Sequence, residues 1–269
     1  MNLKDMVDSI REDGFKLNRA KVKACQEIFM IKLSCSKYRD SVLLKGGTIM
    51  YQLTKEQRRS TEDLDVDLMK ISVSDQNLIT VFNRMGAIDV GLEIKFEVIV
   101  DKITSLKHEA YEGKRLILLF TDDLKDTLSL KLDIGIHTQY HIEQDKLIFD
   151  ITCSDKGIEL LANPIEQMIV EKTSSFIKFG VLSTRMKDLF DIYYLIKNQT
   201  YSKQKVMEII HQYFVNPGQA QSLDHYINSM TELLKSDIFI GNFSRSDNWT
   251  GCDINTILEE LTLFFNGIK

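Results

Sequence analysis

The stretch LLKGGTIMYQLTKEQRRSTEDLDVDL, residues 43–68, decides how this chain folds. Its apolar start predicts a short buried strand over residues 41–45. Gly46 and Gly47 predict a turn, and residues 48–53 start a helix. After a charged loop, residues 63–69 predict a second strand, in which Asp63, Asp65 and Asp67 alternate with Leu64, Val66 and Leu68. Side chains two apart on a strand share a face, so the three acids project together. Any adjacent pair of them can hold one divalent metal ion.

Outward from this segment, residues 2–12 predict a helix. Asn18 is placed to cap a second helix through Ser36, with Val22, Cys25, Ile28, Phe29 and Leu33 on one side. Residues 75–86 predict a helix ending at Gly86. LEIKFEVIV (92–100), RLILLF (115–120) and LSLKLDIGI (128–136) read as strands, with YEGK and TDDLKD as turns between them. A mixed sheet with helices packed on it follows. Beyond about residue 158 the pattern is helical only: 165–180, opened by Pro164, then 184–198, 202–214, 219–235 and 253–266. Residues 236–252, containing Trp249, read as a loop. The fold class is therefore α/β (α+β), with an N-terminal domain over 1–157 and a C-terminal helical bundle over 158–269.

The chain has 269 residues, enough for one large domain or two modest ones, and only two prolines, which fits a helix-rich fold. Its net charge of −5 gives a global field that does not attract nucleic acid. A nucleic-acid substrate would need a local basic patch. Lys16, Arg19, Lys21 and Lys23 form one candidate and Lys55, Arg58 and Arg59 another; ordinary solvated surface is the other reading of both. The four cysteines are scattered, with no C-x-x-C and no zinc-ligand spacing, as expected of reduced thiols in a cytoplasmic protein. The N-terminus lacks an apolar signal core, and no apolar run approaches the roughly 18 residues of a membrane helix.

Several groups carry chemistry. The Gly46-Gly47-Thr48 turn can bring backbone amides and a hydroxyl to a phosphate, or it can be an ordinary strand–helix turn; no G-K-[ST] follows, so it is not a P-loop. The aspartate strand is either half exposed or metal-binding. A metal held by two carboxylates beside a glycine turn is what a nucleoside triphosphate requires. Asp133, in an apolar strand, is either a solvent-facing charge beside Lys131 or an acid converging on the same metal, or a base. In the helical half, Lys172, Arg185, Lys187, Asp188 and Asp191 lie among apolar positions. Asp188 and Asp191 share a helix face. They either form surface ion pairs, or Lys172 and Asp188 reach into a cleft between domains where Lys172 offsets triphosphate charge.

Three blocks in order resemble the DUF1814 family, the AbiEii/AbiGii-type nucleotidyltransferases, whose members include toxins of type IV-like toxin–antitoxin and abortive-infection systems. The blocks are L-K-G-G-T at Leu44–Thr48, R-x-T-x-D-L-D at Arg59–Asp65, and E-K at Glu171–Lys172 followed by R-x-K-D-L-x-D at Arg185–Asp191. The resemblance implies a polymerase-β-like nucleotidyltransferase domain plus a helical domain. It implies transfer of a nucleoside monophosphate from an NTP with Mg²⁺, an RNA acceptor such as a tRNA 3′ end, and a cognate antitoxin. It makes Asp63 and Asp65 the metal pair and Asp133 the third strand acid, on the metal or acting as a base. It puts Gly46, Gly47 and Thr48 at the triphosphate, with Lys45 and Arg59 beside them. Lys172 would contact phosphate and Asp188 would be the acid of the last block. Asp67 extends the acid series, so the register of the pair is set by the Arg-x-Thr anchor alone. A protein or small-molecule acceptor, or a non-catalytic nucleotide-binding module, remains open.

Overall fold

Strict alternation along the central strands builds a sheet with two unlike faces. The computed structural model describes residues 1–55, 61–107, 112–137, 142–152 and 154–268. The chain divides into two compact units, Met1–Ala162 and Asn163–Lys269. The first contains α1 (Leu3–Glu12), α2 (Leu17–Ser34), β1 (Val42–Lys45), α3 (Gly47–Thr54), β2 (Asp63–Leu68), α4 (Asp75–Gly86), β3 (Ile94–Val98), β4 (Thr104–Lys107), β5 (Glu112–Asp122), β6 (Thr127–Ile136), β7 (Asp145–Ile151) and β8 (Ser154–Ala162). The sheet runs β3-β5-β6-β2-β1-β8-β7, and β4 pairs with β5. It is mixed: β2 is antiparallel to β1 and parallel to β6, and β8 is parallel to β1.

One face of this sheet is apolar. Leu64, Val66 and Leu68 of β2 are fully buried and lie in register with Leu132, Ile134 and Ile136 of β6. Phe29 of α2, Phe82 of α4, Phe96 of β3 and Phe120 of β5 form a chain of ring contacts with centroids 5.0–6.2 Å apart across this face. Burying each such ring stabilises the fold by about 1.5–3 kcal/mol. The odd-numbered positions of β2 therefore project from the opposite face. Cys25, buried in α2, has its thiol pushed up to about 12 by burial, which keeps it protonated and unreactive.

The second unit is helical among its described residues, with α5 (Ile165–Phe179), α6 (Lys187–Asn198), α7 (Lys203–Ile210), α8 (Leu223–Leu233), α9 (Asp237–Ser244) and α10 (Ile254–Asn266). Helix α5 packs against α6, α7 and α8. Three N-termini carry side-chain caps: Ser202 on α7, Ser222 on α8 and Asp253 on α10.

Several elements differ from expectation. Helix α2 starts at Leu17, so Asn18 lies inside its first turn and Lys16 takes the cap position without a side-chain bond. The YEGK turn is largely absorbed into β5, which begins at Glu112. Strand β4 and the β7–β8 hairpin were not expected. In β7 only Phe149 and Ile151 are buried, with Asp145, Lys146 and Asp150 between or before them, so its apolar signal is weak. Residues 158–162 are strand and not the start of the helical region, because Ala162 pairs with Leu44 of β1. The expected loop 236–252 contains α9, held by Phe239 and Phe243, which are one helical turn apart and fully buried.

Gly86 ends α4 where it meets β3. A Cβ there would lie 1.8 Å from the Phe96 carbonyl oxygen, a backbone atom that cannot move without shifting the strand. Gly86→Ala should destabilise the fold by about 1–3 kcal/mol or more, measured by urea unfolding; an unchanged midpoint would contradict the packing of α4 on β3.

Candidate active site

Strand β2 lies between β1 and β6, and the register aligns four charged residues across the sheet. Lys45 is opposite Asp65, Asp65 is opposite Asp133, and Asp133 is opposite Arg115 of β5. Directly paired residues share a face, so a cation–acid–acid–cation row crosses four strands. Asp63 and Asp67 flank Asp65 on that face.

Each end of the row is closed by an ion pair. The Arg115 Nε and Nη2 donate to Asp133 Oδ1 and Oδ2 at 2.6 and 2.7 Å, a bidentate geometry and the stronger form of such pairs. Arg115 Nη2 also lies 3.9 Å from Asp63 Oδ2. The guanidinium is held above its ordinary pKa, first by the hydrogen bond to Asp133 and then by the charges of Asp133, Asp63 and Asp65. At the other end Lys45 Nζ donates to Asp67 Oδ2 at 3.0 Å. Asp67 is only 4% exposed, whereas Asp63 and Asp65 are half-buried.

The glycine turn touches this face directly. Gly46 adopts φ 65 and ψ −135, and a Cβ on it would lie 2.5 Å from Asp65 Oδ2. Only glycine allows that approach. A Cβ on Gly47 would lie 2.8 Å from the Thr61 Cβ. Thr61 Oγ1 and Gln26 Nε2 both donate to the Asp63 carbonyl, at 3.1 and 3.3 Å, and so pin the start of β2. Three buried oxygens here have no hydrogen-bond partner among the described residues: Thr48 Oγ1, Asp63 Oδ1 and Asp67 Oδ1. Leaving such a group unsatisfied costs about 1–3 kcal/mol. A bound cation or phosphate group would satisfy the first two. Thr48 also lines a shallow pocket together with Arg19, Lys23, Gln26, Glu27, Thr61 and Asp150. Of the N-terminal basic candidates, Arg19 and Lys23 therefore face it, and Lys23 is already ion-paired to Glu27.

In the second unit Lys172 of α5 donates to Asp191 Oδ2 at 2.6 Å and to Asp188 Oδ1 at 3.5 Å, both on α6. Asp191 is fully buried. Arg185 Nε lies 3.6 Å from Asp188 Oδ2. The adjacent Glu171 accepts from Asn163, Gln167 and Tyr213, a polar network beside the same helix.

Of the residues singled out from sequence, Lys45, Gly46, Gly47, Thr48, Asp63, Asp65 and Asp133 come together on the first unit. Lys172 and Asp188 come together on the second, and Arg59 lies outside the described residues. Lys45 Nζ reaches Asp67, and both carboxylate oxygens of Asp133 accept from Arg115. Sequence reasoning overlooked Arg115 because RLILLF reads as a plain strand; its place opposite Asp133 exists only once β5 and β6 are in register.

A family model for the nucleotidyl transferase AbiEii toxin, type IV TA system, matches residues 28–251. The chain belongs to the AbiEii family. The match takes in all three sequence blocks and omits α1 and α10. The family is described as nucleotidyl transferase toxins of a type IV toxin–antitoxin system. No curated protein matches the chain. Among the described residues no helix is long and apolar enough to cross a membrane.

Removing one member of a buried ion pair costs about 3–5 kcal/mol, because the other charge stays in low dielectric. Lys172→Met should therefore destabilise the second unit by that order, and adding Asp191→Leu should recover most of the loss. Differential scanning calorimetry checks this; a double variant no more stable than Lys172→Met would contradict it.

Proposed function

We propose that this chain is an NTP-dependent nucleotidyltransferase whose first unit is a polymerase-β-like domain and whose second is a helical bundle. The observation that carries the proposal is the contact of the Gly46 turn with Asp65, beside an unsatisfied Thr48 hydroxyl and an unsatisfied Asp63 oxygen. One half of that arrangement suits a phosphate and the other half a hard cation.

Asp63 and Asp65 would hold Mg²⁺, a hard cation suited to carboxylate oxygens. The burial of Asp67 and its pairing with Lys45 favour this register over Asp65 with Asp67. The ion held there would supply positive charge against that developing on the leaving pyrophosphate. The amides of Gly47 and Thr48, at the start of α3, and the Thr48 hydroxyl hold the phosphates in place. The acceptor hydroxyl attacks the α-phosphorus, the bond from that phosphorus to the bridging oxygen breaks, and pyrophosphate leaves. Asp133 serves as the third acid, either receiving the hydroxyl proton or joining the metal set. Lys172 takes the role of phosphate-binding cation, Asp188 that of the acid of the last block, and Arg59 lies beside the triphosphate.

The acceptor is RNA, with a tRNA 3′ end as its class, and the transfer takes place in the cytoplasm. Arg19 at the pocket is the basic side chain available to such an acceptor, since Lys23 is paired with Glu27. The net charge of −5 favours a second reading, in which the acceptor is a protein or a small molecule.

Incubation with each α-³²P-labelled NTP, Mg²⁺ and total cellular RNA should place label in tRNA-sized RNA. Asp65→Asn should lower that labelling roughly 10³-fold while the fold is retained. Wild-type labelling by the Asp65→Asn protein would sink the assignment, and label in protein or small molecules would favour the second reading.

A further inference from the structure

Asp63, Asp65, Asp67 and Asp133 share one sheet face, where like charges repel one another. Lys45 answers Asp67. Arg115 answers Asp133 and approaches Asp63. It is bidentate to Asp133 on β6, and its Nη2 lies 3.9 Å from Asp63 on β2. The guanidinium is thus on the side of Asp133 that faces the β2 acids, where a cation shared between the two strands would stand. The Arg115 side chain is 36% exposed and that of Asp133 20%. Arg115 is therefore not locked in the core and can leave toward solvent.

We propose that Arg115 is the resident counter-ion of the acid face: it occupies Asp133 in place of a divalent cation and yields that carboxylate when metal loads. Arg115 then sets the metal concentration at which the site fills. The inference rests on the reading of Asp63 and Asp65 as metal ligands. It accounts for a grouping that otherwise conflicts with that reading, since the third acid is engaged by a strong partner. A purely structural ion pair would stabilise the sheet equally with and without metal. A counter-ion trades places with it.

Mn²⁺ binding to the full-length chain, followed by the electron paramagnetic resonance signal of free Mn²⁺, separates these cases. Arg115→Gln should bind Mn²⁺ about tenfold tighter than wild type, within the usual range of coupling between sites. Arg115→Lys keeps the charge but cannot fork onto a carboxylate, and it should also bind tighter, by about threefold. In EDTA the Arg115→Gln protein should melt below wild type, and Mn²⁺ should abolish the difference. Wild-type affinity in both variants would overturn the proposal, as would a melting deficit that persists with Mn²⁺. Tighter binding in Arg115→Gln with wild-type affinity in Arg115→Lys would also overturn it, leaving only long-range charge repulsion. Asp65→Asn tests the underlying reading separately: Mn²⁺ binding unchanged by that substitution would defeat the metal assignment itself, and this inference with it.

Discussion

A strand with one apolar face and one acidic face, placed between two partners whose register it shares, is the constraint from which the rest of the first unit follows. Leu64, Val66 and Leu68 must be buried, and a one-residue slip would exchange them with Asp63, Asp65 and Asp67. The apolar core therefore fixes the position of every carboxylate. The acids then dictate the charges around them: Lys45 on β1 and Arg115 on β5 close the row at either end. Glycine at position 46 follows from the same geometry, because any Cβ would displace the Asp65 carboxylate.

The second unit applies similar physics to a different end. Lys172 is largely withdrawn from water and Asp191 wholly so, and their pairing offsets the cost of burying both charges. The neighbouring Glu171 is fully engaged by amides and a phenol. The charged residues of that block are thus explained in part by packing of α5 on α6. Lys172 and Asp188 carry a structural load whatever their part in chemistry.

Much of this was legible in sequence, and the reasons are specific. Period-two alternation exposed β2, β3 and β6, and the Gly-Gly-Thr turn exposed the start of α3. Residues 75–86 were marked as α4 by three-to-four spacing of Leu78, Val81, Phe82 and Met85. The β7–β8 hairpin was hidden because an edge strand buries few side chains, and its apolar residues are separated by charges. Helix α9 was hidden because eight residues with Gly241 and Asn242 carry little helical signal, and two phenylalanines hold it. The acid pair and the turn could be read as one-dimensional motifs. Arg115 could not, since its role arises from pairing between β5 and β6. Family membership supports the nucleotidyltransferase class over residues 28–251 and leaves the roles of individual side chains to experiment.

The central claim is that the half-buried Asp63–Asp65 pair, and not the buried Asp67 or the Asp188–Asp191 face, takes the metal. Anomalous scattering from a crystal grown with Mn²⁺ and a non-hydrolysable NTP tests it directly. The account predicts a peak about 2.0–2.3 Å from carboxylate oxygens of both Asp63 and Asp65, with the nucleotide phosphates completing the shell. A peak on Asp188 and Asp191, or nucleotide bound with no peak at Asp65, would contradict it.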